Sequence, residues 1–343
     1  MEALKNAARL AASVGLLALA ACGGGNNSNS FAAPSGNTSG NTNNNTPTVS
    51  IGAPDMPRVA IQGAPAFNFT TSPPPLGTVL GVYGPAVKIT ASAVTAAGTD
   101  TTGTATYRGT VTTNGTVYPV FDLKIPTLSL NATNVRGDGT TITLADGSKV
   151  GAAIGTLNYT LLGAWTYTPA GSGAVYIGAT STGSGTAPAN VPTSGTATYA
   201  GSGAHGGALG AYFVPSGTGA ITIGSLVGDA SVTANFATGA VSGSLTNMTA
   251  TPASGGASTP WNNVALTGTI SRFTSTVAFN GATSTSGAPA GAGTAGFSST
   301  ATGIVSGGFF GPNADEVGAT WSLTEPNATG GGKTAFGAFA GAR

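Results

Sequence analysis

The sequence predicts an all-β protein, a β-sheet domain followed by an eight-stranded antiparallel up-and-down β-barrel. Three observations carry this. Apolar and polar residues alternate with period two from about residue 51 onward, in short runs bounded by Gly, Asn, Asp and Pro. No stretch after residue 22 keeps a convincing helical period. Of 343 residues, 56 are glycine, 40% are hydrophobic and 6% are charged. That composition suits short strands joined by many turns and is too apolar for a disordered chain.

The amino terminus is read as export machinery. Residues 1–21 form a lipoprotein signal peptide. Lys5 and Arg9 supply its positive region and Leu10–Ala21 its apolar region. Leu19-Ala20-Ala21-Cys22 then matches a lipobox, in which small residues fit the narrow site of a signal peptidase and the cysteine sulfur takes lipid. Cys22 is therefore the expected lipid-attachment residue. Two or more acyl chains would hold the protein stably to a membrane. Gly23 stands where an aspartate would favour inner-membrane retention, so the outer membrane is the expected location. Residues 22–50 comprise the lipidated Cys and a Gly/Asn/Ser/Thr tether, with too little apolar area to offset its ordering entropy.

The folded part divides near a Gly/Ser/Thr/Ala/Pro stretch at Ser181–Pro192, giving domains over 51–190 and 191–343. In the first, strands are expected at Thr104–Val111, Val117–Leu123, Thr140–Leu144, Lys149–Ile154 and Leu157–Leu162, with Asp146-Gly147 as a hairpin turn. In the second they are expected at Gly195–Gly201, Ala208–Val214, Ser231–Phe236, Val241–Met248, Val264–Arg272, Thr276–Asn280, Gly293–Phe297, Gly303–Phe310, Val317–Leu323 and Thr334–Ala340. A run of antiparallel strands at this spacing removes its exposed edges by closing into a barrel. Cys22 is the single cysteine, so the mature chain forms no internal disulfide and its core must hold it.

The inventory for chemistry is thin. The formal net charge is +1 with no basic patch, which excludes nucleic acid as a partner. His205, the single histidine, lies in a glycine-rich loop without a second imidazole or a nucleophile-elbow sequence beside it. Gly330-Gly331-Gly332-Lys333-Thr334 lacks the glycine that a phosphate loop needs six residues before the lysine, where Asn327 stands. Asp138-Gly139 and Asp146-Gly147 read as turns, and Asp315-Glu316 as structural. Tyr159, Trp165, Tyr167 and Tyr176 cluster in sequence and are expected mostly to pack, with a binding hot spot or a haem-ligating tyrosine as the other reading. No catalytic residue and no metal site is expected, and no ligand-binding residue is assigned.

Residues Gly308-Phe309-Phe310-Gly311-Pro312-Asn313-Ala314-Asp315-Glu316-Val317-Gly318-Ala319-Thr320-Trp321-Ser322-Leu323 resemble the barrel signature of transferrin-binding protein B-like surface lipoproteins. That signature runs approximately Gly-x-Phe-Tyr-Gly-Pro-x-Ala-x-Glu-x-Gly-Gly-x-Phe. The chain departs from it at Phe310, Ala319 and Trp321, each mildly. Ala335–Phe339 is similar to the closing strand of the family, Gly195–Tyr199 to its first barrel strand and Val232–Met248 to the next hairpin. The resemblance implies a single-lobe member: a handle-like β-sheet domain followed by an eight-stranded antiparallel up-and-down β-barrel. It also implies a non-enzymatic, surface-exposed module that binds a host or environmental ligand, in some relatives for iron or haem capture. Partners so implied are a host iron-carrying protein or haem, and a Slam-type translocon that moves such lipoproteins to the cell surface. No cofactor is expected, haem being the one group the resemblance leaves open. The alternative is a structural or adhesive envelope lipoprotein without a small ligand.

Overall fold

The computed structural model describes residues 49–50, 67–90, 94–96, 102–202, 206–215, 221–273, 277–325 and 332–343. Cys22, the tether through residue 48 and His205 lie outside the described residues. The first part of the chain carries β1 (Val49–Ser50), β2 (Val79–Val82), β3 (Ala86–Ile89), β4 (Val94–Ala96), β5 (Gly103–Thr113), β6 (Thr116–Ile125), β7 (Leu130–Arg136), β8 (Ile142–Thr143), β9 (Lys149–Thr156), β10 (Thr160–Thr168) and β11 (Val175–Gly183). One sheet runs β2-β5-β6-β7, and a second runs β1-β4-β3-β11-β10-β9-β8. The two face each other across a core that includes Leu80, Tyr107, Phe121, Leu123, Leu161 and Trp165. Alternation explains the choice of face: Leu161 and Trp165 look toward the four-stranded sheet, while Leu162 belongs to a separate apolar cluster on the other side.

The turns obey their residues. Asp146 and Gly147 close the β8–β9 hairpin: Gly147 has φ +85° and the Asp146 carboxylate accepts the Ser148 N–H at 2.9 Å. Asn114 and Gly115, with φ of 51° and 77°, turn β5 into β6. One expected strand is corrected. Leu157–Leu162 is split by the β9–β10 turn, because Leu157 N–H bonds the Thr160 carbonyl at 2.8 Å and closes a tight loop there.

Asp138, buried beyond β7, accepts bonds from the Thr113 hydroxyl at 2.7 Å, the Arg136 Nε at 3.0 Å and the Thr140 N–H at 3.0 Å. Burial alone would raise its carboxyl, but these bonds outweigh it and hold it below the ordinary aspartate value. The unfolded chain then binds the proton more readily. The stabilisation is complete above the ordinary value and is lost as pH falls through the lowered one. Asp138→Asn is expected to cost about 1–3 kcal/mol at neutral pH and to flatten the acid limb of stability, as read by urea unfolding across pH.

The second part carries β12 (Thr196–Gly201), β13 (Gly207–Pro215), β14 (Ile221–Asn235), β15 (Ala240–Pro252), β16 (Thr259–Pro260), β17 (Val264–Arg272), β18 (Val277–Ser284), β19 (Thr302–Phe310), β20 (Glu316–Glu325) and β21 (Lys333–Ala342). The first half of β14 pairs with β13 and its second half with β12, so β12 and β13 are two lengths of one stave. From there the ring passes through β14, β15, β17, β18, β19, β20 and β21 and returns to β13, closing an eight-stranded antiparallel barrel. At the β14–β15 turn the Asn235 side chain accepts the N–H groups of Ala237 and Thr238, both at 3.1 Å, and Gly239 takes φ +76°.

Inward residues fill the barrel. Tyr199, Phe236, Phe279 and Phe309 pack together toward one end, and Trp261, Phe297 and Trp321 toward the other. Gly293–Phe297 is the second corrected strand. It is a single 3-10 turn, Gly293–Ala295, within a loop that folds into the barrel mouth. Buried Asn262 clamps the loop by accepting the Phe297 N–H at 2.7 Å and donating to the Phe297 carbonyl at 2.8 Å. The Trp261 indole N–H donates to the Ala295 carbonyl at 2.8 Å.

The second sheet of the first domain lies on the outer wall of the barrel. Val87, Leu162, Val175 and Ile177 meet Leu209, Phe213, Ile223 and Phe336. Outer residues of β13, β14 and β21 are therefore apolar as well as inner ones. The fold is a stack of three layers: four-stranded sheet, second sheet and barrel wall.

Candidate functional site

The signature residues converge on the junction between the first domain and the barrel. Glu316 begins β20 and points outward, yet it is only 2% exposed because the β9–β10 turn covers it. Its two carboxylate oxygens accept the N–H groups of Asn158 and Tyr159, each at 2.9 Å. Burial pushes its carboxyl above the ordinary glutamate value, and the N–H bonds from Tyr159 and Asn158 offset only part of that.

The turn before it is held as closely. Gly311 N–H donates to the Ser184 carbonyl at 2.8 Å, the Thr186 N–H to the Phe309 carbonyl at 2.9 Å, and the Thr186 hydroxyl to the Gly311 carbonyl at 2.7 Å. Gly311 has φ +85°, and a Cβ there would stand 2.7 Å from the Tyr159 ring. At Gly318 a Cβ would stand 2.3 Å from the Ser181 hydroxyl, so glycine lets the two layers touch. Ser181–Pro192, where the sequence places the division between the two parts, is packed here: Thr182, Ser184 and Thr186 are buried and Val191 joins the barrel core. Glu316 is a latch between layers, while the Asp315 carboxylate accepts the Asn313 N–H at 3.1 Å within the turn.

The other sequence candidates fall into structural places. Trp165 and Tyr167 are buried, and Tyr176 stacks on Tyr167 at 6.0 Å. Tyr159 packs at the junction. Lys333, in the glycine-rich stretch, reaches the Gly296 carbonyl, lies 3.7 Å from the Glu325 carboxylate and sits 5.8 Å over the Phe297 ring. It holds the loop in the barrel mouth. Among the described residues no group of three or more His, Cys, Asp or Glu side chains could hold a metal ion. Nor is any helix among them long and apolar enough to cross a membrane.

What could meet a large partner is the outer face of the four-stranded sheet. Leu76 is 73% exposed and Val79 40%. On the same face Val79 pairs with Thr106 and Thr106 with Asp122, whose carboxylate accepts the Arg108 Nε at 2.7 Å. Sequence reasoning missed this face. Val79 looks like an ordinary strand residue until the layer covering the opposite side is known.

Residues 191–343 match the family described as the C-lobe and N-lobe beta barrels of Tf-binding protein B. Over that span the chain is similar to the transferrin-binding protein B-type barrel. Similar solved structures include intact Ap-TbpB with its N and C lobes, at 16% identity and TM-score 0.37, covering 78% of this chain and 60% of that one. A transferrin-binding protein B mutant from Haemophilus parasuis Hp5 shares 16% identity at TM-score 0.39, over 76% of this chain and 45% of that one. The isotype 1 protein from serogroup B Neisseria meningitidis shares 17% at TM-score 0.36, over 71% and 52%. The chain thus spans 60% or less of the length of these three proteins. A search of curated proteins returned no match.

Proposed function

We propose that the protein is an outer-membrane, surface-exposed lipoprotein that acts as a non-enzymatic binding module. Residues 1–21 would direct export and Cys22 would carry the lipid. Residues 22–50 would be the stalk, and the sheet domain and barrel over 51–190 and 191–343 the displayed part. The filled barrel carries this reading. With Trp261, Trp321, Tyr199, Phe279 and Phe309 buried inside it, the barrel offers its outside, not a lumen, to a partner. A host iron-carrying protein, engaged through the Leu76 and Val79 face, fits that geometry better than haem held inside the barrel. Apolar side chains rimmed by an Arg–Asp pair make a contact surface of ordinary type. A Slam-type translocon would supply the route to the surface.

Protease added to intact cells is expected to degrade the protein, and Cys22→Ser is expected to move it from the membrane to the soluble fraction. Full protection of the wild type on intact cells would overturn surface display. Capture from serum tests the partner: saturable retention of transferrin or haemoglobin supports the reading, while absence of any saturable partner among transferrin, haemoglobin and haem favours a structural or adhesive role.

A further inference from the structure

The dipeptide Asn-Gly occurs twice in the sequence, at Asn114-Gly115 and at Asn280-Gly281. The folded chain treats the two pairs oppositely. Asn280 and Gly281 lie inside β18, a strand of the barrel wall. Gly281 is paired on both sides, with Gly268 of β17 and Val305 of β19. A Cβ at Gly281 would stand 1.7 Å from the Thr267 carbonyl oxygen, so the backbone there has no room to turn. The Asn280 side-chain oxygen is also committed, accepting the Ser306 hydroxyl.

Asn114 and Gly115 form the tip of the β5–β6 hairpin. The ladder ends at the pair of Thr113 with Thr116, so neither tip residue belongs to it. Both are exposed, and a Cβ at Gly115 would meet nothing within 4 Å. Thr113 anchors the hairpin one residue before the tip. Its hydroxyl donates to Asp138 at 2.7 Å and accepts from Arg136 Nη2 at 2.8 Å. Beyond that anchor the turn can open by parting the last ladder pair alone, and end openings of this kind cost little free energy. An opened turn brings the Gly115 nitrogen onto the Asn114 side-chain carbonyl, and glycine has no side chain to obstruct the approach. Proximity then makes the attack intramolecular.

We propose that Asn114 is a site of spontaneous deamidation, and that of the two Asn-Gly pairs the fold confines this modification to the hairpin tip. The Gly115 nitrogen bonds to Asn114 Cγ as its proton passes to solvent. The Cγ–Nδ2 bond breaks, and the amide nitrogen takes up a proton and leaves as ammonia. Water then adds to one of the two carbonyl carbons of the five-membered imide and breaks that carbon's bond to the ring nitrogen. Opening at Cγ leaves an aspartate at position 114. Opening at the main-chain carbonyl leaves an isoaspartate, whose main chain runs through Cβ and Cγ and is one atom longer. Either product sets a carboxylate next to Thr113, whose hydroxyl already joins Asp138 and Arg136. The change is independent of the partner that the protein binds.

The test is to age the purified full chain in warm, mildly alkaline buffer and to compare its tryptic peptides by mass spectrometry before and after. Cleavage after Arg108 and Lys124 isolates residues 109–124, in which Asn114 is the single asparagine. That peptide is expected to gain one mass unit and to separate into aspartyl and isoaspartyl forms, about ten-fold faster or more than any change at Asn280. In urea the two pairs should react at similar rates, because no ladder then holds Asn280. Gly115→Ala adds a Cβ that obstructs the attack and is expected to slow the change at Asn114 by about ten-fold. No gain in residues 109–124, equal rates at Asn114 and Asn280 in the folded chain, or an unslowed Gly115→Ala would overturn the proposal. The wild-type comparison decides alone if the variant does not fold.

Discussion

Phe309→Ala is expected to cost the barrel about 3–5 kcal/mol, the range for removing a buried phenylalanine whose neighbours cannot collapse into its place. Phe309 is 1% exposed and central. Its ring lies 5.3 Å from that of Phe236, 5.9 Å from Phe279 and 6.0 Å from Tyr199, contributed by separate staves and the β14–β15 turn. Those residues are fixed by closed strand pairing, so the void persists. For a domain of this size the loss corresponds to a fall in Tm on the order of 10 °C. Phe309→Leu, which keeps most of the volume, is expected to cost less than about 1.5 kcal/mol. The exposed Val117→Ala should change stability by no more than about 0.5 kcal/mol. Urea unfolding of the three variants checks the order. A loss below about 1 kcal/mol for Phe309→Ala would mean that the ring cluster does not hold the barrel together.

Much of this was legible in the residues, for a physical reason. Where one face of a strand meets water and the other a core, alternation is plain, and β17 falls at Val264–Arg272 as the sequence predicts. The same rule fails where both faces are covered. The first half of β14 carries Ile221 and Ile223 against the sheet domain and Leu226 into the barrel, so its pattern no longer alternates. The strand expected from Ser231 in fact begins ten residues earlier, at Ile221. β11 was hidden likewise between two apolar layers, with Thr182 at its glycine- and threonine-rich end. Gly293–Phe297 reads as a strand because Ala295 and Phe297 alternate, but they are buried by a loop entering the barrel mouth. The signature was visible as a string of residues, whereas its role was not. The partners of Glu316 are backbone N–H groups 158 and 157 positions away, and a backbone donor leaves no mark in a sequence.

That latch gives the second large effect. Glu316→Ala would strip both acceptors from the N–H groups of Asn158 and Tyr159, and is expected to cost about 2–4 kcal/mol, since bonds to a charged group are worth about 1.5–3 kcal/mol each and solvent recovers part of the loss. Glu316→Gln keeps one acceptor oxygen but turns an NH2 group toward a donor, so about 1–3 kcal/mol is expected. The pH dependence separates this carboxylate from the others. Its folded pKa lies above the ordinary value of 4.5, so between the two values the native state holds the proton more often than the unfolded chain. Stability from this group is therefore greatest at low pH and declines as pH rises through that window. Asp122, Asp138 and Asp146 are lowered, and their stabilisation is lost only below the ordinary aspartate value of 3.8. Above about pH 4.5 the two effects no longer overlap, so a decline in wild-type stability toward neutral pH is the signature of the buried glutamate. In Glu316→Gln, which cannot ionise, that decline should vanish while the acid limb set by the aspartates remains. Parallel wild-type and variant profiles above the acid limb would show that Glu316 ionises as freely in the native junction as in the unfolded chain. The buried latch between sheet domain and barrel would then be wrong.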